Sequence, residues 1–351
     1  MPGAFTGEGN VIYRNIVVVG ASAGGIPVLQ HLIAGLPPMF SASIFVTLHV
    51  AAHSPNLLPG ILARTAALPV NLAVDREPVI PGHVYVAPAD RHLLLEDDHL
   101  RVTHAPKENR VRPAIDVLFR SAAYTFGTRV IGIVLSGMLD DGTAGAWAIK
   151  DRGGMVIVQS PREAQFASMP ESVIRHVSAD YILPVAEMPD LLMKLTNEPL
   201  TPARSAGPAE TLRIETRIAL GGNALQEGIM QLGKISPNTC PECQGVLIKM
   251  QEGLITRYRC HTGHAYTLRT LLAAINEEVE MTLWSSLRAA DERILLLQEM
   301  EREARSSNDK ATEQHCAELI WNTKAHFDHI RDVVLDYGMF GQDFYAKRSE
   351  S

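Results

Sequence analysis

Between residues 15 and 196, short uninterrupted apolar runs alternate with segments of helical periodicity, and this alternation restricts the fold more than any other feature. The apolar runs are 16–19, 43–48, 83–86, 129–135, 155–159 and 181–184. Helical patterns occupy 25–35, 56–64, 114–126, 143–151, 170–176 and 188–195. Runs without polar alternation belong to strands buried on both faces, and helices between them act as right-handed crossovers. The pattern therefore predicts an α/β fold with a doubly wound, mostly parallel sheet. Residues 92–95 and 100–103, joined around Asp97-Asp98, read as a β-hairpin laid on that core. Reactive groups in such folds collect in loops at the carboxyl ends of the strands.

The first strand ends in Val17-Val18-Val19-Gly20-Ala21-Ser22-Ala23-Gly24-Gly25, a Gly-x-Ser-x-Gly turn followed at once by the helical pattern Ile26, Leu29, Leu32, Ile33. A strand that turns sharply into a helix puts the serine hydroxyl at the sheet edge beside the free N–H groups of the helix start. That suits an acyl-transfer nucleophile, or a passive anion site. The pattern is not Gly-x-Gly-x-x-Gly, and no P-loop lysine follows, so nucleotide binding is disfavoured. A nucleophilic serine needs a base, and the base an orienting carboxylate. His49 follows the second apolar run; Asp140 and Asp141 follow the 129–135 run. Spacing alone leaves His31, His53, His83, His92, His99 and His104 as rivals to His49, and leaves Asp141 an N-cap of the next helix.

Residues 15–195 resemble the catalytic domain of the chemotaxis protein-glutamate methylesterases, the CheB family. The resemblance runs through Gly20-Ala21-Ser22-Ala23-Gly24-Gly25, Leu48-His49-Val50, Val84-Tyr85-Val86-Ala87-Pro88, Arg112-Pro113-Ala114-Ile115-Asp116-Val117-Leu118-Phe119, Leu135-Ser136-Gly137-Met138, Asp141-Gly142 and Met169-Pro170, in that order. It implies a doubly wound α/β domain with Ser22 as nucleophile, His49 as base and Asp141 as orienting acid. The implied oxyanion donors are the backbone N–H groups of Met138 and of Ala23, where the following helix starts. The implied reaction is hydrolysis of γ-glutamyl methyl esters on chemoreceptor helices through an acyl-enzyme, without a catalytic cofactor, with deamidation of receptor glutamines as a related activity. Ala23 stands where many members carry threonine, and Asp140 where many carry asparagine. Many members also begin with a phospho-acceptor receiver domain. The residues ahead of the first apolar run are too few to form one, so control by aspartyl phosphorylation within this chain is not expected. A non-catalytic platform in a chemosensory pathway is the alternative; intact Ser22, His49 and Asp141 favour the enzyme.

The second half has a different character. A stretch rich in proline, alanine and threonine at 197–213 reads as a linker, and 214–239 as a connecting segment. Cys240-Pro241-Glu242-Cys243, then Cys260-His261-Thr262-Gly263-His264, reads as a zinc ribbon over 240–265. Cys240, Cys243, Cys260 and His264 would close a structural zinc site, with His261 the less suited rival because it adjoins Cys260. Long helical stripes over 266–338, broken near Ser306-Ser307-Asn308, predict an antiparallel helical hairpin with Cys316 on its apolar side. Segments 1–14 and 339–351 read as tails. A net charge of −7 disfavours a nucleic-acid partner. No signal peptide or membrane-spanning run is legible, so a cytoplasmic location is expected.

Overall fold

In the computed structural model the described residues are 12–200 and 209–346, with side-chain surroundings through Asp336. The predicted tails and linker fall partly outside them, at 1–11, 201–208 and 347–351. The chain divides into two compact units, Met1–Leu271 and Leu272–Ser351.

The first unit is built on β1 (Ile16–Ala21), β2 (Ser43–Leu48), β3 (Val70–Leu72), β4 (Val84–Val86), β7 (Val130–Val134), β8 (Met155–Gln159) and β9 (Tyr181–Leu183). These strands form one seven-stranded sheet in the order β3-β4-β2-β1-β7-β8-β9. Every pairing is parallel. Strand β3 escaped the sequence reading because Asn71 interrupts its three residues, so no apolar run marks it.

Alternate residues of each strand point to opposite faces. Val18 faces a core with Phe45, Ile115, Phe119 and Ile149, under α3 (Ile115–Phe126), α4 (Thr143–Asp151) and α5 (Ser168–His176). Val17 and Val19 face the other core with Leu29, Leu32, Ile33 and Leu192, under α1 (Gly25–Ala34), α2 (Leu58–Ala63) and α6 (Met188–Asn197). Both faces are therefore dry, which is why these strands lack polar alternation. The hairpin of β5 (His92–Glu96) and β6 (His99–Thr103) forms a two-stranded sheet of its own, bridged at His99 to Pro78.

The segment read as linker and connection is largely structured. Helix α7 (Glu210–Ala219) starts inside the proline-rich stretch, and β10 (Lys234–Thr239) precedes the first cysteine. Strand β10 joins β11 (Val246–Glu252), β12 (Ile255–Cys260) and β13 (Ala265–Thr267) in a four-stranded antiparallel sheet, wider than the predicted ribbon. This module is fastened to α3 by a buried charge cluster. Arg257 donates to Glu215 at 2.7 Å and to Glu252 at 3.0 Å. Arg259 donates to Glu108 at 2.6 Å and to Glu215 at 2.9 Å, and Arg120 of α3 pairs with Glu108. Glu215, the buried hub, is contributed by α7, so this helix is part of the packing and not a spacer.

Helix α8 (Leu268–Ser306) begins in the first unit and α9 is Lys310–Ala346, so the helix covers most of the predicted C-terminal tail. Within the second unit Ile294 and Leu297 pack with Ile320, and Cys316 is buried. The turn between the helices carries Asn308 at φ +58°, and Asp309 caps α9 by accepting from Thr312 N at 3.1 Å.

Candidate active site

Strand β1 is central. The chain leaves it toward β2 and later returns on its other side at β7. Such a reversal opens a crevice beyond the carboxyl ends of the strands. Ser22 follows β1, His49 follows β2 and Asp141 lies in the loop after β7, so three chain segments converge there.

The turn that carries Ser22 is pinned from below. Ser22 N donates to Ser136 O at 2.9 Å, and Ser136 Oγ donates to Ala23 O at 2.8 Å. Gly24 holds φ +70°, in the left-handed region, and an added Cβ would meet Gln165 at 2.7 Å. The turn therefore needs glycine for both conformation and space.

Ser22 Oγ is 3.1 Å from His49 Nδ1, and His49 Nε2 is 2.7 Å from Asp141 Oδ2. With Nε2–H donated to the carboxylate, Nδ1 presents its lone pair to the serine hydroxyl. Three side chains drawn from distant positions thus stand in hydrogen-bonded series, the order that nucleophilic catalysis by a serine requires.

Asp141 is buried and accepts four hydrogen bonds. Oδ2 takes His49 Nε2 and Ile115 N (2.7 Å each); Oδ1 takes Asn109 Nδ2 at 2.8 Å and Asp116 N at 3.2 Å. Burial pushes its carboxyl up, but the His49 contact and the Ile115 and Asn109 bonds outweigh that and hold it well below the usual carboxylate range. The sequence left Asp141 open as an N-cap of the helix after it. It caps a different helix: Ile115 N and Asp116 N are the first amides of α3, so the positive end of that helix faces the carboxylate.

The rival histidines stand elsewhere. His92 is buried, with Nε2 donating to Pro106 O at 3.0 Å and Nδ1 accepting from Ala114 N at 3.2 Å, a structural role. His31, His53, His99 and His104 are exposed. The carboxyl of Asp140 is buried and accepts from Thr267 Oγ1 at 2.8 Å; burial pushes it up to about 6.

The N–H of Ser22 is occupied, whereas those of Ala23 and Met138 have no acceptor among the described residues. Met138 is half exposed at the mouth of the crevice. On either side of His49, Leu48 and Val50 line an apolar hollow of about 170 Å³ with Ile26, Leu57 and Pro59.

A family model described as CheB methylesterase matches residues 17–192. The chain belongs to the CheB methylesterase family. A relative from Leptospira interrogans is 36% identical over 180 residues, covering 51% of this chain and 93% of its own length. A protein-glutamate methylesterase/protein-glutamine glutaminase of Thermotoga maritima is 39% identical over 184 residues, covering 51% of this chain and 54% of its own. The crystal structure of the Thermotoga maritima CheB methylesterase catalytic domain matches with a TM-score of 0.50 at 38% identity, over 52% of this chain and all of that one. The likeness to that CheB domain spans half of the present chain; the ribbon and long helices lie beyond the family match.

At the cysteine cluster, the Sγ atoms of Cys240, Cys243 and Cys260 and a ring nitrogen of His264 lie within 4.8 Å of one another. Cys240 Sγ to His264 Nδ1 is 3.7 Å, Cys243 Sγ to Cys260 Sγ 3.7 Å and Cys260 Sγ to His264 Nδ1 3.5 Å. Edges of a tetrahedral Cys₃His zinc site, from its bond lengths, are roughly 3.5–3.8 Å. The donor set fits a metal of that geometry. His261 turns away and packs on Gly245, where an added Cβ would come within 2.3 Å of its ring.

Asn109, Thr267 and Thr270 were not among the residues singled out from the sequence, although Asn109 and Thr267 bond directly to the site's acids. The legible signal was Thr267-Leu268-Arg269-Thr270 ahead of an apolar helical stripe, a capping pattern.

Proposed function

We propose that this chain is a protein-glutamate methylesterase that hydrolyses γ-glutamyl methyl esters on the cytoplasmic helices of chemoreceptors. Ser22 Oγ attacks the ester carbonyl while His49 Nδ1 takes its proton. The tetrahedral oxyanion is held by the N–H groups of Met138 and Ala23. His49 returns the proton to the departing methoxy oxygen and methanol leaves. Water, deprotonated by His49, then attacks the acyl-serine; Ser22 recovers its proton and the glutamate carboxylate is released. The same steps on a glutamine side chain release ammonia. Asp141 keeps the imidazole oriented and stabilises its charged form.

The observation that carries this reading is the Ser22–His49–Asp141 series at 3.1 and 2.7 Å, at the switch point of the family's sheet. Methylated receptor fragments test it. The parent chain releases methanol, and Ser22→Ala lowers the rate by roughly 10⁴-fold or more. Equal release by the two would refute the assignment.

We also assign zinc to Cys240, Cys243, Cys260 and His264. Four protein ligands leave no open position, so the metal would hold the ribbon together and take no part in the hydrolysis. Metal analysis of the purified chain should find about one zinc per chain. The protein works in the cytoplasm in this reading, and no helix among the described residues is long and apolar enough to cross a membrane.

A further inference from the structure

Asp141 has a neighbour that an orienting acid would not ordinarily tolerate. Asp116, also fully buried, presents its carboxyl to the same small space, where burial and then the Asp141 charge push it up. One side chain keeps the two apart. Asn109 Nδ2 has two hydrogens, and it lies 2.8 Å from Asp116 Oδ2 and 2.8 Å from Asp141 Oδ1. The amide is fully committed on that side. Its direction is fixed from the other side, where Asn109 Oδ1 lies 3.1 Å from Thr267 N and 3.1 Å from Thr270 Oγ1. Were the amide turned over, its oxygen would face the Asp141 carboxylate and its hydrogens would face the Thr267 N–H donor, so only one orientation satisfies both.

The two threonines are themselves locked together. Thr267 precedes α8 and Thr270 lies in its first turn. Thr267 N donates to Thr270 Oγ1 at 2.8 Å, and Thr270 N donates to Thr267 Oγ1 at 3.1 Å. This is a reciprocal cap of the helix. Thr267 Oγ1 further donates to Asp140, the residue before the triad acid, at 2.8 Å. The main chain repeats the connection: Asn109 N donates to Ala265 O at 2.8 Å. Thr267 ends β13, the strand that closes the ribbon sheet, and Thr270 lies at the start of the helix after it, both beyond the family match.

We propose that Asn109 is a positioning residue for the hydrolysis, and that the cap at Thr267 and Thr270 makes the ribbon module part of the triad's support. Asn109 acts through Asp141: it fixes the plane of the carboxylate whose other oxygen holds His49 Nε2, and it separates that carboxylate from Asp116. The φ of Asn109, +52°, is one that asparagine and glycine accept. Asn109→Gly therefore removes the amide without straining the backbone.

The inference rests on the methylesterase reading, and the experiment separates the two. Full-length Asn109→Gly, Thr270→Val and Thr270→Ser are compared with the parent. Methanol release gives kcat and KM, and proton NMR follows the downfield resonance of the imidazole hydrogen shared with Asp141. Removing an orienting triad acid itself costs about 10⁴-fold in kcat, so a group acting through that acid should cost roughly 10- to 100-fold, with KM within about twofold. Asn109→Gly should show that loss and shift or broaden the resonance. Thr270→Val should move both readouts the same way by a smaller amount, roughly three- to tenfold in kcat, while Thr270→Ser, which keeps the hydroxyl, stays within about twofold of the parent.

Folded Asn109→Gly with parental kcat and an unmoved resonance would overturn the proposal. If Asn109→Gly does not fold, the Thr270 pair decides: equal turnover by the valine and serine variants overturns it. A parent chain that releases no methanol defeats the methylesterase reading instead. The resonance needs no substrate, so it still reports whether Asn109 governs the His49–Asp141 pair.

Discussion

Gly137 leaves no room for a side chain. An added Cβ would lie 2.1 Å from Met169 Sδ and 2.8 Å from Ser22 Cβ, between a buried thioether and the proposed nucleophile. Met169 is fully buried and can yield only by displacing its neighbours. Gly137→Ala should therefore cost about 1–3 kcal/mol of stability by overpacking and push Ser22 away from His49. Urea unfolding and methanol release measure the two effects; a variant with parental stability and turnover would contradict this account. The same scale shows what a sequence can and cannot disclose. Ser22, His49 and Asp141 were legible because each follows a strongly apolar run, and a parallel sheet gathers such ends on one edge. Asn109 was not, because it lies in an irregular loop and its partner Thr267 is 158 residues away. No local period encodes a contact of that kind. Asp141 was legible as a helix cap, but which helix it caps depends on packing between α3 and the β7 loop.

At the scale of elements, the ribbon is held by a buried charge cluster and, in the reading proposed above, by zinc, and each has its own test. The first is the buried charge cluster. Burial pushes the Glu252 carboxyl up to about 7; Arg257 opposes the shift and the neighbouring Glu215 carboxylate adds to it. A carboxyl raised on folding takes up protons as the chain folds, so its contribution is fully present below the ordinary carboxylate range. It is lost as pH rises through about 7. Glu252→Gln cannot titrate and should remove that part of the slope. Between pH 5 and 8 the parent should lose on the order of 1–3 kcal/mol more stability than the variant in urea melts. Parallel pH profiles would show that Glu252 is already charged when folded. The second device is the thiolate site. Cys243→Ser removes one donor from a set whose edges match tetrahedral coordination. Zinc content should drop below one per chain and the thermal midpoint should fall by several degrees, since structural zinc contributes directly to folding. An unchanged midpoint with no zinc in the parent would rule the metal out. Helix α7 starts in a stretch whose proline and alanine content resembles a linker, and strand β10 lies in the segment read only as a connection. Glu215 of α7 meets Arg257 and Arg259 only through tertiary packing, and β10 is held by its pairing with β11, so composition misled there.

At the scale of the whole molecule, the two compact units divide the chain at a place that leaves the catalytic support on one side. Ser22, His49 and Asp141, their hydrogen-bond partners, and Thr267 and Thr270 all belong to Met1–Leu271. Two shortened chains separate what each part does. One ends at Trp284 and keeps the ribbon and the capped start of α8; the other ends at Leu200 and keeps little beyond the family domain. The shorter chain should still fold, because a catalytic domain of matching extent forms a crystal structure by itself in Thermotoga maritima. It leaves Asn109 Oδ1 without Thr267 and Thr270, however, and exposes the Glu108–Arg120 pair that α7 and β12 cover. Water can replace the lost donors but does not fix the direction of the amide. On a small methyl ester, where receptor docking plays no part, the chain ending at Trp284 should match the full chain within about twofold in kcat, and the chain ending at Leu200 should fall roughly threefold to tenfold below it. On methylated receptor fragments any additional loss in the Trp284 chain would measure what the long helices contribute to substrate capture. Equal kcat for all three chains on the small ester would mean that the ribbon lends the triad nothing that water cannot supply.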